Sequence, residues 1–281
     1  MSGRRTAWLV LLALGAGCNA APKTRIRRVR ARVDVVTFAS GGGHLRRMPE
    51  ARAIWLVQRA ARASERLARV PVDAPGWTIE AQALLEVDPD RGEGRGSATL
   101  SLETPALDWA VRAVRSAEAD VTGPGDRRPL EVAVEEALDA AAGLAALRGA
   151  SAARLRATLS SEDPERLVVA SRALAEHHRH EDVVALLPLL RHPSSAVREA
   201  ATGALVTLGD RSAVRALIEA DDEDDPLVTI RTLDAVAALG GEEAMAYVEL
   251  LATGHSLETV RRTAYQARRR LLRGARRADR E

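Results

Sequence analysis

The sequence predicts a small α+β domain followed by an all-α solenoid of paired helices. Two observations carry the solenoid. Asp163, Ser194, Asp225 and Ser256 stand 31 residues apart, and each is a residue type whose side chain accepts hydrogen bonds from the free N–H groups of a first helical turn. Apolar positions deeper in keep the same step, as Leu174, Leu205 and Val236 do, and Leu186, Leu217 and Val248. The third observation lies upstream, where apolar and polar residues alternate in runs bounded by turn residues, the pattern of strands with one buried face.

Each unit of 31 reads as two helices. Pro164 and Pro226 follow the Asp caps, at the position where a missing N–H costs nothing. Leu208-Gly209 and Leu239-Gly240 close the first helices, with glycine where a C-terminal turn favours it. SSAVREAATGALVTLG is a first helix; SAVRALIEA and EDVVALLPLL are shorter second helices. Neither buries its apolar face alone, so the units must stack. A paired-helix unit of this length containing VREAATGALVTLGD resembles the HEAT repeat in its short bacterial form. The resemblance is best over 163–255. It extends backward through Leu159, Leu155 and PLEVAVEEALDAAAGLAAL. Forward, it reaches a last helix with Leu257, Val260, Ala264, Ala267 and Leu271 in steps of three and four. The solenoid is therefore expected over 129–281. The resemblance implies protein binding on the second-helix side and names no partner.

The α+β domain is expected over 25–128. Val29, Ala31, Val33 and Val35 alternate with Arg28, Arg30, Arg32 and Asp34 as a strand, and Ser40–His44 reads as a flexible break. PEARAIWLVQRAARASERLARV, 49–70, reads as a helix throughout. WTIEAQALLEVD and SATLSLET form a hairpin across the turn DPDRGEGRG, with Ile79, Ala81, Ala83, Leu85 and Val87 facing Ala98, Leu100 and Leu102. WAVRAVRSAEADV fits either period and is read as a strand.

The N-terminus carries Arg4 and Arg5 and then the unbroken apolar run Ala7–Gly17. That run is far short of the roughly 20 residues that span a bilayer as a helix. It has the three parts of a secretion signal. Ala16, Gly17 and Cys18 resemble the box of a bacterial lipoprotein signal, although Gly15 stands where Leu is usual. The resemblance implies a signal peptide over 1–17, lipidation of Cys18 and a tether over 18–24; cleavage after Ala20, or a simply buried Cys18, are the alternatives. Cys18 is the one cysteine in the chain. A thioether would remove a lone thiol from an oxidising compartment, and its acyl chains would hold the protein at a membrane. Asn19 is not the Asp that retains many lipoproteins at the inner membrane, so the resemblance favours the outer membrane of a bacterial envelope.

The net charge of +2 belongs to the signal: without Arg4 and Arg5, 39 basic residues face 39 acidic ones. Neutral charge and an export signal argue against nucleic acid as partner. Residues 19–70 carry 13 basic and 3 acidic side chains, whereas 131–260 carry 11 and 23. A basic start near the lipid would suit acidic headgroups or cell-wall polymers, although a solvated strand face is the simpler reading.

Candidate chemistry is sparse. His177, His178 and His180 lie among carboxylates in a pattern zinc accepts, yet the repeat register puts His178 and His180 in a surface turn and His177 at a leucine position. EADDEDD, 219–225, is rich in oxygen ligands but lacks the glycine and closing Glu of an EF-hand; an inter-repeat loop is expected. No GxSxG elbow and no GxxxxGK[ST] loop occurs. The expectation is a non-enzymatic envelope lipoprotein without cofactor that binds another protein through its repeats. The alternative is a cell-wall- or lipid-binding lipoprotein that uses the N-terminal domain, with the repeats as spacer.

Overall fold

The computed structural model describes residues 23–278 apart from 40–41, 71–74, 106–108, 124 and 223; Cys18 and the signal lie outside the described residues. The first half is a mixed sheet. Its strands are β1 (Thr24–Ala39), β2 (Gly42–Arg47), β3 (Leu67–Arg69), β4 (Trp77–Asp88), β5 (Glu93–Glu103) and β6 (Val111–Asp120). The order is β2-β1-β4-β5-β6, with β3 also on β1. At 16 residues, β1 serves three partners. It pairs with β4 in parallel, with β2 as an antiparallel hairpin from Asp34 to Ala39, and with β3 in parallel from Thr24 to Ile26.

The expected hairpin is β4 and β5, antiparallel from Thr78↔Glu103 to Asp88↔Glu93. Of its expected inward residues, Ile79, Ala81, Leu85 and Val87 with Ala98, Leu100 and Leu102 are buried, and Ala83 is half-buried against the same core. The ambiguous segment is the strand β6, with Val111 and Ala113 buried and Arg112 and Val114 exposed.

Three local expectations change. The helix expected over 49–70 is α1 (Glu50–Ala63) and then β3. The chain leaves the helix at Ser64, in extended geometry, because the Arg66 carbonyl accepts from Thr24 N–H at 2.8 Å and Leu67 is buried on the sheet. The expected break at Ser40–His44 is half strand: His44 lies in β2 opposite Thr37. Glycines 94 and 96, read as turn residues, lie within β5.

Those two glycines are needed for packing. Helix α2 (Arg128–Arg148) starts directly over them. A Cβ on Gly96 would come within 2.4 Å of the backbone of Pro129 and Leu130, and one on Gly94 within 2.3 Å of Val121 Cγ1. Only a strand without side chains there admits the helix so closely. Asp126 fixes the entry. Its carboxylate accepts from Arg128 N–H and Thr122 N–H, both at 3.1 Å, and from the Arg128 guanidinium. The guanidinium first, and then these N–H groups, hold the Asp126 carboxyl well below the usual carboxylate range.

Both helices cover one face of the sheet. Helix α1 buries Ala53, Leu56, Val57 and Ala60, and α2 buries Ala133, Ala137 and Ala141 beside Leu130, Val134 and Leu138. Small residues four apart let α2 lie close to β5 and β6. The opposite face is bare and polar. Its cross-strand rows read Arg28–Thr78–Glu103, Arg30–Glu80–Ser101–Arg112 and Arg32–Gln82–Thr99–Val114.

From α2 onward the described chain is helical: α3 (Ala152–Thr158), α4 (Pro164–Glu176), a second helix broken into a 3₁₀ turn (His180–Asp182), α5 (Val183–Leu186) and a 3₁₀ turn (Leu187–Arg191), then α6 (Ser195–Leu208), α7 (Ala213–Glu219), α8 (Pro226–Leu239), α9 (Glu242–Gly254) and α10 (Glu258–Ala278). The break at Leu187 follows from Pro188, which has no N–H for the carbonyl four residues back. The change from strands to helices falls between 120 and 128, but the packing is continuous across it. One buried cluster runs from Ile26 through α2 to Leu174 of α4. A second begins at Leu167, also on α4, and ends at Leu271.

Helix α4 is thus a wall of both cores, and it also covers the free edge of the sheet. Strand β6 is the last in the order, so its outer N–H groups lack a strand partner. Glu165 of α4 accepts from Val114 N–H at 2.9 Å and from Arg115 Nη1 at 2.9 Å. At the far end of α4, Glu176 accepts from the Trp109 indole at 3.1 Å and from Arg148 Nη2 at 2.7 Å.

Replacing Gly96 by Ala is expected to destabilise the fold by about 3 kcal/mol, the upper range for overpacking against a backbone that cannot give. Urea unfolding checks this; an unchanged midpoint would contradict the close approach of α2 to β5.

Candidate interaction surface of the repeats

The step of 31 residues is physical as well as textual. Leu174, Leu205 and Val236 are each 0% exposed, as are Leu186 and Val248, and Leu217 is 3% exposed. Equivalent side chains therefore fill equivalent places between successive layers. One place differs. Asp182 stands where later units have Ala213 and Ala244, and all three are 0% exposed. A carboxylate buried in an alanine slot requires a charged partner. Arg156 of α3 supplies it, bonding Asp182 Oδ1 and also Glu181. These bonds raise the Arg156 pKa, the Asp182 bond contributing most.

The four candidate cap residues divide into two pairs. Asp163 Oδ1 accepts from Glu165 N–H and Asp225 Oδ1 from Leu227 N–H, each at 2.9 Å. Ser194 sits at the N-cap of α6 with no side-chain cap bond, and α10 begins at Glu258, two residues after Ser256. Histidine and arginine serve these two starts instead. His192 Nδ1 accepts from Ser194 N–H and His255 Nδ1 from Leu257 N–H, both at 3.1 Å. Arg198 then donates to the carbonyls of His192 and Pro193, and Arg261 to those of His255 and Ser256. The signal is visible in the sequence as a His followed six residues later by an Arg, in HPSSAVR and HSLETVR.

The other histidines are spread along a turn. His177 is exposed, whereas its counterparts Leu208 and Leu239 are buried, because α4 ends one residue earlier and leaves His177 as its C-cap. His178 has φ 50°, in the register of Gly209 at φ 69° and Gly240 at φ 74°. His180 Nδ1 lies 3.4 Å from Asp210 Oδ2. Ser212 N–H is the largest influence holding the Asp210 carboxyl below its ordinary pKa, and His180 adds to it.

The acidic loop is likewise used locally. Asp221 accepts from the Tyr247 hydroxyl, Asp222 Oδ1 from Asp224 N–H, and Asp225 caps α8. Among the described residues, no group of three or more His, Cys, Asp or Glu side chains stands together to hold a metal.

What remains is a surface. On the second helices the register aligns exposed residues into three rows: Glu181–Ser212–Glu243, Val184–Arg215–Ala246 and Pro188–Glu219–Leu250. Val184 is 74% exposed and Leu250 65%. Between these apolar ends lies the Arg215–Glu219 pair, one turn apart at 3.2 Å. On the first helices, ion pairs bridge neighbouring layers, Glu199 to Arg231 and Asp234 to Arg270. A groove of about 310 Å³ runs between α6 and α8, with Leu190, Glu199, Gly203, Leu217 and Arg231 among its walls. Among the described residues, no helix is long and apolar enough to cross a membrane.

Stacked helix pairs in one register, their layers sharing a continuous apolar core, define an α-solenoid of short repeats. Residues 151–237 and 183–269 each match the family model for HEAT repeats, so this part of the chain carries HEAT-like repeats, with a sheet domain on their N-terminal side. No curated protein matches the chain.

His178→Gly is expected to stabilise the protein by about 0.5–1 kcal/mol. Relief of a left-handed backbone outweighs the larger entropy that glycine brings to the unfolded chain. Thermal unfolding of the two proteins measures it, and a lower midpoint in the variant would contradict the register of the turn.

Proposed function

We propose that this protein is a membrane-anchored scaffold of a bacterial envelope, which binds another protein through the second-helix side of its repeats. The observation that carries the reading is the set of three exposed rows. HEAT repeats generally mediate protein–protein contacts, and here the shared cores hold the rows on a fixed backbone, so a partner docks with little ordering cost. Val184, Pro188, Ala246 and Leu250 supply apolar anchors; Glu219 and Glu181 are ion-paired with Arg215 and Arg156, and the acidic character comes from the repeat region as a whole, with 23 acidic against 11 basic side chains over 131–260. That combination suits a partner with basic and apolar residues interleaved.

The anchor is read from the sequence alone. The apolar run and the Ala16-Gly17-Cys18 box support lipidation of Cys18, with the outer membrane favoured. The scaffold needs no catalytic group or cofactor for this role.

The test is crosslinking of the full chain in its own envelope, followed by mass spectrometry. The native chain should sediment with membranes and crosslink one protein stoichiometrically. Val184→Asp/Leu250→Asp, which alters exposed positions only, should reduce that crosslink at least about tenfold. Cys18→Ser should leave the membrane fraction. Equal crosslinking by the surface variant would overturn the interface, and equal sedimentation of Cys18→Ser would overturn the anchor.

A further inference from the structure

The basic row of β1 becomes more specific in three dimensions. Ile26 pairs with Trp77 and Arg28 with the next residue, Thr78, so Arg27 is an extra residue, a bulge in an otherwise regular ladder. A bulge re-aims the side chains around it. Arg27 Nε donates to Thr78 Oγ1 at 3.4 Å, on the bare face of the sheet where Arg28 and Arg30 also stand. The three arginines line a cavity of about 360 Å³, together with Thr78, Glu103 and Trp109. That volume suits a small ligand.

Two features separate this cavity from a solvated strand face. Among the described residues, neither Arg28 nor Arg30 is in an ion pair, although Arg30 lies opposite Glu80 in the ladder. The cavity holds three guanidinium groups against the single carboxylate of Glu103, so its charge balance is left for a ligand to complete. Trp109 is also fixed rather than loose: its indole N–H bonds Glu176, and Arg172 stacks 5.4 Å from its ring centre. A wall held in place from α4 is a feature of a shaped site, and a guanidinium fork matches phosphate oxygens two at a time.

We propose that the cavity bounded by Arg27, Arg28, Arg30, Thr78 and Trp109 binds a phosphate group. Arg28 and Arg30 neutralise its charge, and the Thr78 hydroxyl contributes a further hydrogen bond. The inference is independent of the protein-binding reading, since it uses none of the second-helix rows. The phosphate belongs either to a soluble compound or to a glycerophosphate, as in lipid headgroups and envelope polymers.

Calorimetric titration of the full chain in non-ionic detergent with inorganic pyrophosphate and with glycerol 3-phosphate tests it, followed in parallel by the Trp109 indole N–H resonance. That signal is identified among the tryptophan resonances with Trp109→Phe. Saturable binding of either probe with a shift of that resonance is expected; the tighter probe identifies the source. Arg28→Gln/Arg30→Gln should weaken binding at least about tenfold and abolish the shift. Arg262→Gln/Arg269→Gln on α10, an equal loss of charge elsewhere, should change it less than about twofold. Equal weakening in both variants would reduce the effect to bulk charge and overturn the site, as would absence of saturable binding by both probes.

Discussion

Everything in this molecule depends on how the last strand of the sheet is terminated. An edge strand presents unpaired N–H and C=O groups, and a solenoid presents an unstacked first layer; each invites association unless covered. Helix α4 covers both. Glu165 satisfies Val114 N–H at the sheet edge, while the helix contributes Val169, Ala170, Ala173 and Leu174 to the sheet core and Leu167 and Ala175 to the repeat core. The sheet domain is therefore the N-terminal cap of the repeat array, and the array is the cover of the sheet.

The aromatic-poor composition fits this arrangement. Alanine, leucine and valine have few rotamers to lose, and alanine allows close helix approach, so layers stack with a regular step. Polar departures from that pattern cluster at the joint. Asp182 in an alanine slot, Arg156 opposite it, and Glu176 between Arg148 and Trp109 tie the first repeat to the helices beside the sheet. Directional bonds of this kind fix orientation where apolar surfaces alone permit sliding. A fixed orientation also places the phosphate-binding cavity and the exposed second-helix rows on one rigid frame, linked through the Trp109 and Glu176 contacts.

Much of this was legible in the residues. Alternation marked β1, β4, β5 and β6, and the step of 31 marked the repeats, because both are periodicities imposed by a buried face. The hidden features all depend on partners distant in the chain. Strand β3 has only three residues and exists because β1 offers it an edge. Gly94 and Gly96 resembled turn residues until α2 was placed over them. Ser194 and Ser256 are the right residue types for caps, yet His192 and His255 take the N–H groups nearby. The bulge at Arg27 leaves the alternation of β1 intact on its C-terminal side and so gives no local sign.

Two-probe equilibrium unfolding tests the shared role of α4 most directly. Fluorescence of Trp55 and Trp77 reports the sheet domain, and circular dichroism reports mainly the repeat helices. With Trp109 replaced by Phe to remove the joint's own signal, one urea transition common to both probes is expected, and Glu165→Ala should move both midpoints down together. Two separated transitions, or a shift of one probe alone, would show that the sheet and the repeats fold independently and that α4 belongs to only one of them.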